Sequence, residues 1–285
     1  VGEQQIGDGG GRESRRVAEV LRTRIAEGDY PVGGFLPRQR ELADEFGVSR
    51  DTVQRALKVL VDEGWIQSRQ GSGSRVLKTQ RISSGDPQRR GGVLSLGPLL
   101  DEAFQEPEVT LDIYTLSSES LSGHLRDQVG RIYAGRIAPE RIDVRVVVPS
   151  GELPYPRTKG APDDPRLQER LRKIRQEHVD ALTRLFTNLQ ARKAVDHVSL
   201  EIRSAPLTPT FKLYLLNDRS ALFGPYEVVE QPIVVHGEEV LATDVLGLGA
   251  TLTHQVRDSD PDSAASVFVD SMRTWFDSVW RNLAK

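Results

Sequence analysis

The chain of 285 residues contains no cysteine. Disulfide frameworks, thiolate metal sites and cysteine nucleophiles are therefore excluded, and the composition suits a reducing cytoplasm. No apolar run approaches the ~18 residues that a membrane helix needs, so no membrane partner is expected. The first residues, Val1 to Arg12, are glycine-rich and polar. They lack the apolar centre of a secretory signal and read as a disordered tail. Histidine is scarce, at five residues. His178 and Asp180 are too close together and too isolated to hold a metal, and no metal or cofactor is expected. Gly247-Leu248-Gly249 lacks the strand-turn-helix setting of a nucleotide loop and reads as a bend. There is no internal repeat.

Charge of one sign is also lacking, since the net charge is only −3. A nucleic-acid binder needs a basic face rather than a basic total, so charge has to be read by region. With 38% hydrophobic and 28% charged residues, the chain has the material for a packed core. Composition breaks between Thr79 and Gly92, in a run with almost nothing to bury. This divides the chain into a tail (1–12), a small unit (13–78), a linker (79–93) and a larger unit (94–285).

The small unit is mostly helical. Val17, Val20, Leu21 and Ile25 recur at helical spacing, and Gly28 stops that helix. Tyr30 to Gly34 reads as a turn. Leu42, Ala43 and Phe46 share one face of a second helix, which Gly47 breaks. Ser49 is a good N-cap for a third helix, Asp51 places negative charge in its first turn, and Val53, Ala56, Leu57 and Leu60 form its buried stripe. Gly64 ends it. Trp65-Ile66 and Arg75-Val76-Leu77 then read as two short strands joined at Gln70-Gly71-Ser72-Gly73.

Helix, turn, helix and hairpin in that order can place the last helix in a DNA major groove and the hairpin against neighbouring backbone. Residues 11–78 carry thirteen lysines and arginines against ten acids, a regional balance of +3. Arg38 and Arg40 open one helix, Arg50 and Arg55 the next, and Arg69 and Arg75 flank the hairpin tip. Arg22 and Arg24 read as solvated. The candidate DNA contacts are Arg38, Arg40, Ser49, Arg50, Asp51, Thr52, Gln54, Arg55, Arg69, Gln70, Gly71 and Ser72. Asp51 reads equally well as a helix-start acid, and Arg55 and Lys58 could instead pair with nearby acids.

Residues 15–77 resemble the winged helix-turn-helix of the GntR family of bacterial regulators. The stretches that carry the resemblance are Leu21 to Gly28, Leu36 to Ala43, Phe46 to Val53, Ala56-Leu57, Glu63-Gly64-Trp65 and Gly71 to Gly73. The resemblance implies that Arg40 grips phosphate or guanine, that Ser49 and Arg50 open the recognition helix with Arg50 reading a base, that Thr52 contacts the DNA backbone, and that Gly71 enters the minor groove. One position departs. Many members carry arginine where this chain has Gln54, and glutamine favours adenine edges where arginine favours guanine. The family also implies a homodimer on two-fold-related half-sites, acting by default as a repressor under a small-molecule effector.

The larger unit alternates strand-like and helix-like stretches. Val109–Tyr114 and Ile142–Val148 read as strands. Glu119–Ile137 and Pro165–Ala194 read as helices, with Asp163-Asp164 capping the second. Strand candidates follow at His197–Ile202, Phe211–Leu216, Ser220–Gly224, Glu227–Val235 and Glu239–Ala242, before a closing helix over Ala265–Leu283. The expected fold class is α+β or α/β: a winged helix-turn-helix followed by a mixed α/β sheet domain. Trp275, Phe276 and Trp280, at helical spacing, read as core or dimer contact. Thr210, Lys212 and Asn217, followed by Leu222-Phe223-Gly224, resemble the spacing of the phospholipase D superfamily motif with its histidine replaced. A chorismate-lyase-like domain remains open. The phospholipase D resemblance implies a scaffold without its nucleophile, hence no enzyme activity. Thr210, Lys212 and Asn217 would line a sensor pocket for a phosphorylated or nucleotide-like effector. The alternatives are a phosphodiesterase fused to a DNA-binding domain, and a unit that only dimerises or binds protein.

Overall fold

The computed structural model describes residues 9–27, 29–31, 33–62, 65–69, 73–76, 82–84, 96–161, 164–235, 238–247 and 251–285. They fall into two compact units, residues 1–79 with 232–240 and residues 80–231 with 241–285.

The first unit contains α1 (Gly9–Glu27), α2 (Gln39–Phe46), α3 (Arg50–Asp62), β1 (Ile66–Arg69) and β2 (Gly73–Val76). Helix α1 begins inside the run expected to be a tail. Val17, Leu21 and Ile25 anchor its later turns in the core, and extending an anchored helix costs far less than starting one. Helices α1 and α2 both pack on α3 through Leu42, Ala43, Val53, Ala56, Leu57 and Leu60. Arg22, expected to be solvated, is instead buried. It shares a face with Ala18 and Ile25 at helical spacing, so its aliphatic stem joins the packed side. Strands β1 and β2 pair antiparallel, from Ile66 opposite Val76 to Arg69 opposite Gly73. The segment after α1, expected to be only a turn, adds a further edge. The Gly33 N–H donates to the Val76 carbonyl, Val76 N–H to Gly34, and Leu36 N–H to Ser74.

The second unit opens with β3 (Ile82–Ser84), inside the run read as a linker. Ile82 is buried, and the strand adds in parallel to the sheet edge. Then come α4 (Leu96–Ala103), β4 (Glu108–Tyr114), α5 (Glu119–Tyr133), β5 (Arg141–Pro149), β6 (Arg157–Thr158), α6 (Arg166–Ala191), β7 (His197–Ala205), β8 (Phe211–Leu216) and β9 (Ser220–Pro225). Strands β10 (Glu227–Val235) and β11 (Glu238–Leu246), whose residues 232–240 group with the first unit, and β12 (Leu252–Val256) precede the closing α7 (Ala264–Asn282). Helix α5 stops short of the expected Ile137, where the chain turns through Gly135 at a φ of 65°.

Seven strands form one mixed sheet in the order β3-β12-β9-β8-β4-β5-β7. Strands β4, β5 and β7 run parallel, joined by crossovers through α5 and α6, while β8 returns antiparallel beside β4. Alternation sorts the two faces. Ile142, Val144, Val146 and Val148 of β5 join Leu121, Leu125, Leu182 and Phe186 of the crossover helices. Tyr114, Val147, Leu213 and Leu215 face Phe276 and Trp280 of α7, which makes those two aromatics core. On that same face Arg145 lies opposite Asp112, bonds both its carboxylate oxygens at 2.6 Å, and reaches Asp277 of α7 at 3.0 Å. The guanidinium also stacks over Phe276 and Trp280. Pro165, not an aspartate, holds the N-cap position of α6; Asp164 just before it accepts from the Arg166 N–H at 3.1 Å, and Asp163 lies outside the described residues.

His124 on α5 is 2% exposed, and burial pushes its imidazole down to about 4. An unfolded chain takes up this proton near pH 6.5, whereas the folded one resists it, so stability falls as the pH drops between those values. Urea unfolding should show wild type losing about 3 kcal/mol more than His124→Gln across that window. Parallel curves would contradict the buried neutral imidazole.

Candidate nucleic-acid interface

The turn between α2 and α3 is made by Gly47, at a φ of 64°, Val48 and Ser49. Glycine suits that left-handed conformation, and the Val48 N–H closes the end of α2 by donating to Ala43. Ser49 then caps α3: its Oγ accepts from the Thr52 N–H at 3.2 Å and lies 2.9 Å from the Thr52 hydroxyl.

Cap and buried stripe together fix the rotation of α3. Arg50, Asp51, Gln54, Arg55 and Lys58 are exposed and fall on one side of the helix. The Arg55 Nε donates to the carbonyl of Asp51 at 3.3 Å. The side chains of Arg50, Gln54 and Lys58 have no hydrogen-bond or ionic partner among the described residues. Thr52 sits apart from that exposed set. It is 6% exposed with its hydroxyl turned to Ser49, because position 52 lies beside Val53 and Ala56 on the packed side.

Arg38 and Arg40 are exposed at the start of α2, where the Arg38 N–H donates to Glu41 Oε2 at 2.7 Å. Two bridges hold α2 to α1. Arg16 donates to the Phe46 carbonyl at 3.2 Å, and Arg24 pairs with Glu45 while lying over the Phe46 ring. Arg24 is thus an inter-helix clamp rather than the solvated cation that its position suggested. In the hairpin the backbone of Arg69 pairs with Gly73, and the hydroxyls of Ser68 and Ser74 meet at 2.8 Å. Gln70, Gly71 and Ser72 lie outside the described residues. Arg75 donates to the Gly33 carbonyl at 3.1 Å and so holds the added edge. Phe35 on that edge is 58% exposed, an aromatic that the reading of 30–34 as a plain turn passed over.

The residues expected to line a ligand pocket do not converge. Thr210 is exposed just before β8, and Lys212 is buried near the start of that strand. Asn217 lies beyond its other end, five residue steps or about 17 Å along the strand from Lys212. Asn217 is engaged structurally at a φ of 49°: its side chain accepts from the Thr110 N–H at 2.9 Å and donates to the Ala103 carbonyl at 2.8 Å. A cavity of about 540 Å³ at that end is lined by Glu102, Glu106, Glu108, Asn217, Arg219 and His254. Gly224 has a packing cause. A Cβ there would come within 2.5 Å of Leu252 Cδ2 and 2.8 Å of the Thr251 carbonyl. No metal-binding cluster and no helix long and apolar enough to cross a membrane occur among the described residues.

Residues 13–76 match the family described as bacterial regulatory proteins, gntR family. This N-terminal unit is a GntR-family winged helix-turn-helix DNA-binding domain. The uncharacterized HTH-type transcriptional regulator YisV of Bacillus subtilis is 30% identical over 42% of this chain and 26% of its own length. A second uncharacterized regulator, RB1450 of Rhizobium meliloti, is 41% identical over 24% of this chain and 28% of its own. The mannosyl-D-glycerate transport/metabolism system repressor MngR of Escherichia coli is 44% identical over 24% and 28%. The chain thus spans about a quarter of the length of these curated relatives.

Ser49→Ala removes the cap that fixes where α3 begins. Loss of about 1 kcal/mol there should speed amide exchange through the first turns of α3 by about fivefold. Unchanged exchange would show that the cap does not hold the helix start.

Proposed function

We propose that the chain is a sequence-specific, DNA-binding regulator of transcription that acts as a homodimer on two-fold-related half-sites. Helix α3 enters the major groove with its N-terminal turns against base edges, and the β1–β2 hairpin lies along the adjacent backbone. The carrying observation is the outward face of α3, where Arg50, Gln54 and Lys58 have no internal partner among the described residues while the opposite face is closed. Arg50 and Gln54 sit within the first five residues of the helix, the part that reaches base edges. Arg38, Arg40 and Lys58 supply charge toward phosphate, and Asp51 favours the positive end of the helix dipole. Thr52 contacts the DNA backbone from the first turn of α3, its hydroxyl also meeting that of Ser49.

Repression by occlusion of a promoter is the mode of action we assign, in keeping with the repressor name of the MngR relative. The second unit serves dimerisation and effector sensing. An effector that prefers the dimer geometry unsuited to DNA releases the operator by population shift.

Selection of bound duplexes from a random library, followed by anisotropy titration at fixed salt, tests the reading. Arg50→Ala should weaken the selected site by about 1–3 kcal/mol, a ten- to hundredfold loss. Gln54→Ala should relax preference at one adenine of each half-site while leaving the other positions ranked as before. Lys58→Ala should instead weaken all sequences alike and flatten the salt dependence. A selected site indifferent to both Arg50 and Gln54 would overturn the assignment of α3 as the reading helix.

A further inference from the structure

The second unit buries a group of polar side chains where β4 and β5 end. Beyond Tyr114 the chain runs through Thr115, Leu116, Ser117 and Ser118 into α5, all of them at most 9% exposed. Buried polar atoms are nearly always hydrogen-bonded, so each exception calls for a cause. Ser118 is 1% exposed, and its Oγ has no partner among the described residues. It sits at the N-cap of α5 at a φ of 60°, yet its side chain makes no cap bond, so the positive end of a fifteen-residue helix lacks the acceptor a capping serine normally gives.

A second orphan lies on the neighbouring helix. Arg175 on α6 has its Nη1 buried without a partner. Two contacts bracket its position. Leu171, one turn earlier, packs against the cluster containing Leu116 and Tyr226, and His178, one turn later, bonds Ser122 at 2.9 Å. Helices α5 and α6 thus run side by side, and Arg175 falls level with Ser118. Burial depresses the guanidinium below the usual arginine range, with Arg172 adding repulsion. Behind this spot the Tyr226 hydroxyl accepts from the Leu116 N–H at 3.0 Å, and the buried Lys212 ammonium lies 5.8 Å from the Tyr226 ring. Glu119 is drawn aside by the Ser117 hydroxyl, at 3.1 Å.

We propose that the α5 N-terminus, Ser118 and Arg175 form a binding site for the phosphate group of a small ligand. An oxyanion there accepts from the Arg175 fork, the Ser118 hydroxyl and the first-turn N–H groups of α5 together, the donor set a phosphate takes at a helix start. Lys212 contributes positive potential from the sheet side. The site lies beyond the carboxyl ends of parallel strands, next to the antiparallel β8, where open α/β sheets place their ligands. It deepens the effector-sensing reading above and rests on that reading only for its regulatory consequence.

Thermal unfolding of the full chain in rising inorganic phosphate, with chloride and acetate series at matched ionic strength, tests the site. Phosphate should raise the melting temperature saturably, and chloride and acetate should not. Arg175→Gln should raise the half-saturating phosphate concentration by about tenfold or more, and Ser118→Ala by a smaller factor. Ser118→Ala removes an unpaired buried hydroxyl, so it also covers the case in which Arg175→Gln folds poorly. A phosphate response equal to that of chloride, an acetate response equal to that of phosphate, or full retention in both variants would overturn the assignment. DNA binding by the same samples separates the two readings. Loss of the phosphate response with operator affinity intact removes the site alone, and Arg50→Ala should leave the phosphate response unchanged.

Discussion

Helix α3 can bury only one side, and the rest of the first unit follows from that constraint. Val53, Ala56, Leu57 and Leu60 occupy one stripe against α1 and α2, and the Ser49 cap sets where the helix begins. With rotation and start both fixed, Arg50, Gln54 and Lys58 have nowhere to go but outward. Arg16 and Arg24 then hold α2 against α1, so the support beneath α3 is itself braced by two cation contacts. The chemistry at the surface is inherited from packing underneath it.

Much of this was legible in the sequence because it is local. Glycine at 47, serine at 49 and an apolar repeat from Val53 to Leu60 are short-range signals, and each corresponds to a cap, a turn or a stripe. The reading failed where the outcome depended on distant partners. Arg22 and Arg24 resemble solvated cations in the chain, but one lies on the packed side and the other meets Glu45 from another helix. The edge at Gly33–Leu36 and strand β3 arise because a sheet edge elsewhere offers free backbone groups, which no local pattern announces.

The second unit shows the same division. Its strands and crossover helices follow from alternation and helical spacing, and the paired Asp112 and Arg145 become neighbours only through the register of β4 and β5. The spacing of Thr210, Lys212 and Asn217 suggested a shared pocket, but a strand carries the last two to opposite ends. The polar residues of the proposed phosphate site, Ser118 just before α5 and Arg175 on α6, stand 57 positions apart in the chain and share no sequence motif. Convergence of that kind is a property of topology.

The central claim, that α3 and the hairpin are the DNA-reading surface, is tested most directly by amide hydrogen exchange of the full chain with and without a selected duplex. Protection is predicted to concentrate at Arg50–Arg55 and along β1 and β2, with the sheet of the second unit little changed. Protection confined to the second unit, with α3 exchanging as it does in the free protein, would contradict the account.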